Sequence, residues 1–147
     1  MDENDEEHKE ITVIHQICDL PLYYTKYHVV VSKNPILAKE HIEELYPGIT
    51  MNFNKHTLSY TCTIRHDEMG DALLVYIKIN GGDPEQPIES IVAHEAVNLG
   101  WVLTDELGVK VDSTNYVTQA YIISDIVKNI TKVIQKFEEE NTGIDDL

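Results

Sequence analysis

Apart from one short helix, the spacing of apolar residues in this chain shifts from strand-like to helical at about residue 80, and that shift constrains the fold more than any other feature. Up to about residue 80, apolar residues alternate or fall in short runs. Beyond residue 87 they recur at helical spacing. In TLSYTCTIRH, 57–66, Leu58, Tyr60, Cys62 and Ile64 alternate with Ser59, Thr61, Thr63 and Arg65. A period of two marks a strand with one packed face and one wet face. YHVVVSK, 27–33, and ALLVYIKI, 72–79, are short and rich in apolar residues, as buried strands are, and the second is expected to be the more central. A further β-prone run within 11–24 stops near Pro21. GITMNFN, 48–54, also reads as a strand, with Asn54-Lys55-His56 as a hairpin connection to the next. Asn34-Pro35 offers an N-cap and a proline at the first helical position, which predicts a short helix over about 35–46, ended by Pro47-Gly48.

Two longer helices are expected to follow. The first runs over about 87–107, from Pro87 to Gly108, with Ile88, Ile91, Val92, Leu99, Val102 and Leu103 as its apolar stripe. The second runs over about 114–139, with Ser113 or Thr114 as N-cap. Val117, Ala120, Ser124, Val127, Ile134 and Phe137 are its residues at helical spacing. Strands with a short helix, then two long helices, predict an α+β fold: a small, mostly antiparallel sheet packed against the two C-terminal helices.

Length and charge narrow the function classes. At 147 residues the chain suits one domain, expected over 11–139, with acidic tails at 1–10 and 140–147. The net charge of −15 is unevenly spread: residues 1–10 carry −5, residues 138–147 carry −5, and the interior carries the remaining −5. No cluster of Lys and Arg is present to meet phosphates, so direct nucleic-acid binding is not expected. A partner with a basic surface fits the charge better. No apolar run is long enough for a membrane span, and the acidic N-terminus has no signal-peptide core, so a cytoplasmic protein is expected. Cys18 and Cys62 lack metal-ligand spacing and read as reduced, packed thiols.

The chemistry-bearing stretch is IVAHEAVNLGW, 91–101. His94-Glu95 begins like the zinc-protease motif H-E-x-x-H. That motif works because residues i and i+4 share one helical face, so two imidazoles reach one zinc while the glutamate serves its water as general base. Here Asn98 stands where the second histidine belongs. A carboxamide is a poor substitute for imidazole on zinc. His15, His28, His41, His56 and His66 lie outside this helix and read as solvated surface residues. Trp101, seven residues after His94, is either a core tryptophan or, if exposed, a contact residue. Tyr116 is a second interaction candidate.

From Ser90 onward the chain resembles a family of small phage and prophage proteins often described as metallopeptidases. In those, a helix reading xHExxHxxxxxxxxxG leads through a short loop to a second helix. That helix carries a Glu shortly before an Ala-Tyr pair and an apolar tail. This chain keeps His94, Glu95, Gly108, Asp112, Asn115, Ala120-Tyr121 and the apolar tail Ile122 to Ile130. The resemblance covers about 40 residues, 90–130, and extends only weakly upstream. It implies a minimal zincin-like layout with a metal held by the two histidines and the later Glu. Asn98 departs from it, and so do Val117 and Gln119, where the third ligand would fall. The expectation is therefore a pseudoenzyme without cofactor, His94 being vestigial. It would act in a host cell by binding a partner protein, for instance as an inhibitor of a nucleic-acid-handling defence protein. The alternative is an active metal-dependent hydrolase or peptidase, with zinc as the metal, using His94 and Glu95 with unconventional ligands and Glu95 as general base.

Overall fold

A computed structural model describes residues 12–23, 25–79 and 83–145. The acidic stretch 1–10 and the Gly81-Gly82 part of the expected loop lie outside the described residues. The elements are β1 (Val13–Leu20), a single 3₁₀ turn (Pro21–Tyr23), β2 (Thr25–Ser32), α1 (Pro35–Leu45), β3 (Ser59–Ile64), β4 (Ala72–Lys78), α2 (Ile88–Glu106) and α3 (Tyr116–Asp145). The four strands form one sheet in the order β1-β2-β4-β3. Pairs β1/β2 and β3/β4 are antiparallel, and the central pair β2/β4 is parallel. The α+β architecture with a mostly antiparallel sheet is as expected.

The burial of the strands explains their composition. β2 and β4 are covered on both faces, so Val29, Val30 and Val31 are fully buried, as are Leu74, Val75, Tyr76 and Ile77. A strand buried on both sides reads as a continuous apolar run, as these do. One sheet face packs under α2 and α3 through Ile14, Val29, Val31, Val75 and Ile77. The opposite face carries Val30, Leu74 and Tyr76 and is covered by Ala38 and Ile42 of α1 with Met51 and Phe53. The short helix thus forms a third layer on the side away from the long ones. Its start is as expected: the Asn34 side chain accepts a hydrogen bond from the Ile36 N–H at 2.9 Å, with Pro35 following.

Three local expectations need correction. Residues 48–54 form no strand and no hairpin with β3. Met51 and Phe53 are buried there as loop residues filling the space beside α1, and the Glu43 carboxylate accepts the Met51 N–H at 2.7 Å in place of a ladder bond. Period-two burial in a packed loop mimics a strand. The N-terminus of α3 is set by Asn115, not by Ser113 or Thr114. The Asn115 carbonyl accepts the Gln119 N–H, and its side chain folds back to the Asp112 N–H and the Lys110 carbonyl. Asp112 in turn accepts from the Thr114 hydroxyl and N–H, which holds its carboxyl below the ordinary range. Finally, α3 buries Ile122, Ile126, Ile130, Val133, Ile134 and Phe137, so Ile134 and Phe137 serve the core as expected and Val127 packs against it, while Val117, Ala120 and Ser124 are exposed. The true stripe is one face round from Val117, Ala120 and Ser124. Branched apolar residues, not small ones, mark the core side. α3 also continues past residue 139 to Asp145.

Gly108 terminates α2 with φ of +72°. That left-handed conformation is where glycine carries no Cβ penalty. No helix among the described residues is long and apolar enough to cross a membrane. Both thiols are free. Cys18 is buried, and burial pushes the Cys62 thiol up to about 11, as suits packed, unreactive cysteines.

Candidate functional site

α2 lies over β3 and β4, and this placement gives the His94-Glu95 pair its surroundings. The apolar residues of β3, Tyr60 and Cys62, pack on the α1 side of the sheet. Its polar residues, Ser59, Thr61 and Thr63, therefore lie under α2. The expected wet face is covered, to the point that the Thr61 hydroxyl is buried with no hydrogen-bond partner.

Glu95 points inward. It is 3% exposed, and its carboxylate accepts a hydrogen bond from the Asn98 amide nitrogen at 2.8 Å. The substitution that removes the motif's second histidine thus supplies a donor to a buried carboxylate. An unpaired buried carboxylate is costly, and a hydrogen bond to a charged group contributes about 1.5–3 kcal/mol. His94 lies at the surface beside it: its side chain is 72% exposed, and Nε2 stands 4.0 Å from the Glu95 carboxylate. His94 borders a small cavity of about 220 Å³ with Leu58, Ser59, Gln86, Ser90 and Ile91. Among the described residues no carboxylate and no second imidazole lines it.

The two positions of the expected third ligand diverge. Val117 is exposed, in the first turn of α3. Gln119 is 6% exposed, and neither atom of its amide has a hydrogen-bond partner. It packs on Gly100, where a Cβ would stand 3.3 Å from the Gln119 amide nitrogen and 3.0 Å from Ile123 Cγ1. The glycine is what lets α2 and α3 approach this closely.

This donor set does not fit zinc. Structural and catalytic zinc sites need at least three converging protein ligands. Here one imidazole faces solvent, one carboxylate faces the core, the Asn98 amide is turned to that carboxylate, and Val117 and Gln119 lie on a different helix in different directions. Among the described residues no group of three His, Cys, Asp or Glu side chains is arranged to hold a metal ion.

The same helix presents an exposed ridge. His94, Val97, Trp101 and Asp105 are exposed and follow helical spacing. Trp101 is 51% exposed and Tyr116 62%, so neither serves the core. Trp101 adjoins Gly100 in sequence, and Tyr116 lies one turn before Gln119. Both therefore sit near the α2–α3 contact.

Sequence reasoning missed the histidines of the opposite face. His15, His28 and His41 are not solvated: all three are half-buried and hydrogen-bonded to one another. His66 is half-buried and tied down, with Nε2 against the Pro47 carbonyl and Nδ1 accepting from the Met69 N–H. No local pattern links them. His15 and His28 occupy outer-face positions of strands that pair, and His41 lies on the helix that covers that face. Compared with protein-family models, curated proteins and solved structures, the chain matches none.

Proposed function

We propose that this chain is a non-catalytic binding protein built on a degenerate H-E helix, and that it works without a metal. The observation that carries this reading is the Asn98–Glu95 hydrogen bond. A general base must reach a reacting proton, whereas Glu95 is enclosed and already paired. The side chains left on the outside of the same helix are suited to contact instead. Trp and Tyr are enriched at binding hot spots because they bury large area with few rotors.

The partner is a protein with a basic surface. The chain carries −15 overall, and Asp105 flanks Trp101 on the exposed ridge. Such complementarity steers association and selects partners. In line with the resemblance to phage proteins, the role is inhibition of a host protein that handles nucleic acid, whose basic groove would accept this surface.

The test is affinity capture from host lysate with the full chain, followed by titration of the purified partner. Trp101→Ala together with Tyr116→Ala should weaken binding by about 2 kcal/mol or more, a hot-spot loss. Because both residues are exposed, each change should move stability by no more than about 0.5 kcal/mol. Undiminished binding by the double variant would remove this face from the account. Peptide hydrolysis abolished by Glu95→Gln would replace the proposal with a peptidase.

A further inference from the structure

The outer face of the sheet carries a feature unconnected with the His94 helix. His15 on β1 meets His41 of α1 through Nδ1 at 2.9 Å, and His28 of β2 through Nε2 at 2.7 Å. The strand register explains the second contact: His15 stands opposite Val30, and Ile17 opposite His28. His15 and His28 are thus diagonal neighbours on one face, within reach for aromatic side chains. The cluster opens on an apolar cavity of about 390 Å³ rimmed by Ile17, Leu45 and Met69. It is not a metal site, since His15 meets its neighbours through opposite nitrogens and no three donors converge.

Proton counting limits what this cluster can hold. Three imidazoles offer six nitrogens, and four of these face each other across the two contacts. Each contact needs one proton, donated from one side and accepted on the other. Three neutral rings carry three N–H groups: two fill the contacts and one lies on an outer nitrogen of His28 or His41. One added proton occupies the other outer nitrogen and leaves both hydrogen bonds intact. A second added proton has no outer nitrogen left. It must enter a contact, set N–H against N–H, and break that hydrogen bond beside a like charge.

We propose that His28, His15 and His41 act as a latch between α1 and the sheet, which tolerates one proton and opens on the second. α1 is the element released. Its 11 residues are too few for stable helix in isolation, and it buries only Pro35, Ala38 and Ile42. Burial lowers the pKa of His15 to about 4, with the neighbouring imidazoles adding to the effect, and burial lowers that of His28 as well.

Among the described residues no carboxylate is ion-paired with the three rings. On β1 and β2, Asp19 and Lys26 pair with each other at 2.5 Å. On α1, Glu40 and Glu44 flank His41 in sequence, while Glu43 is engaged by the Met51 N–H and lies near Lys39. Tyr46 and Tyr76 are raised by burial, the Tyr76 hydroxyl meeting Ser32. Asp67 and Glu68 belong to the turn that carries Met69, and Lys78 ends β4.

The sign follows from linkage. A histidine whose folded pKa is lowered binds fewer protons than in the open state, so stability is lost as pH falls from about 6.5 and continues to fall to about 4. Hydrogen exchange across α1 and α2, read at several pH values with imidazole nitrogen NMR on the full chain, tests this. Between pH 7.5 and pH 5 the opening equilibrium of α1 should rise about thirtyfold relative to α2, the linkage factor for one imidazole carried from 6.5 to about 4. His15→Leu, or His15→Asn if the first does not fold, should abolish that differential. Three imidazoles titrating independently near 6.5, or an α1 differential that persists in the variant, would overturn the proposal.

Discussion

Gly100→Val should destabilise the protein by about 3 kcal/mol, the upper part of the range for overpacking a close interface. The smaller change Gly100→Ala sets two effects against each other. Alanine gains about 1 kcal/mol of helix propensity over glycine. Against that, the new Cβ would lie 3.0 Å from Ile123 Cγ1 and 3.3 Å from the Gln119 amide nitrogen. The amide is the end of a flexible side chain and can give way. Ile123 Cγ1 is a branch of a β-branched residue on a helix and cannot rotate freely. The net effect of alanine should therefore be a loss of about 1 kcal/mol, and Ile123→Ala, which removes Cγ1, should add to Gly100→Ala by less than its cost in the parent. Denaturant unfolding of the three variants checks this. Gly100→Ala more stable than the parent would show that the two helices are not in close contact here.

Gln119→Glu should cost about 3 kcal/mol or more at neutral pH, because it places a carboxylate in a 94%-buried position (6% exposed) with no hydrogen-bond donor in reach. The sign with pH follows from the raised folded pKa of such a group. The penalty should be largest well above that pKa and vanish as pH falls below about 4, where the unfolded carboxyl is also protonated. Gln119→Met should instead be neutral or stabilising, since it removes an unpartnered buried amide whose desolvation costs about 1–3 kcal/mol. Thermal unfolding at neutral and acid pH distinguishes the two variants. A well-tolerated Gln119→Glu would mean that a donor or an ion is available at this position.

These two positions show how far the sequence could be read. The class of fold was legible because β2 and β4 are buried on both faces and announce it as apolar runs, while β3 alternates. The helix ends were legible at Asn34-Pro35 and Gly108, where backbone geometry dictates residue type. The core face of α3 was legible at Ile134 and Phe137 but not in the first half of the helix, because Val117, Ala120 and Ser124 also recur at helical spacing, and only packing against the sheet selects the Ile122–Ile126–Ile130 face. The 48–54 segment was misread because a packed loop and a strand can share one burial pattern.

At the candidate site, sequence identified the residues but not their directions. His94, Glu95 and Asn98 lie on one helix as the spacing requires, yet His94 faces solvent and Glu95 the core. The role of Asn98 as donor to Glu95 depends on the carboxylate being buried, which no local pattern reveals. The histidine cluster depends on strand register and on which sheet face α1 covers, so it becomes visible only once the topology is known.

The most direct test of the account is the zinc content of the chain purified without chelator, measured by elemental mass spectrometry beside His94→Ala. The account predicts no zinc above background in either protein. One zinc per chain in the parent, lost in His94→Ala, would contradict it and return Glu95 to the role of general base.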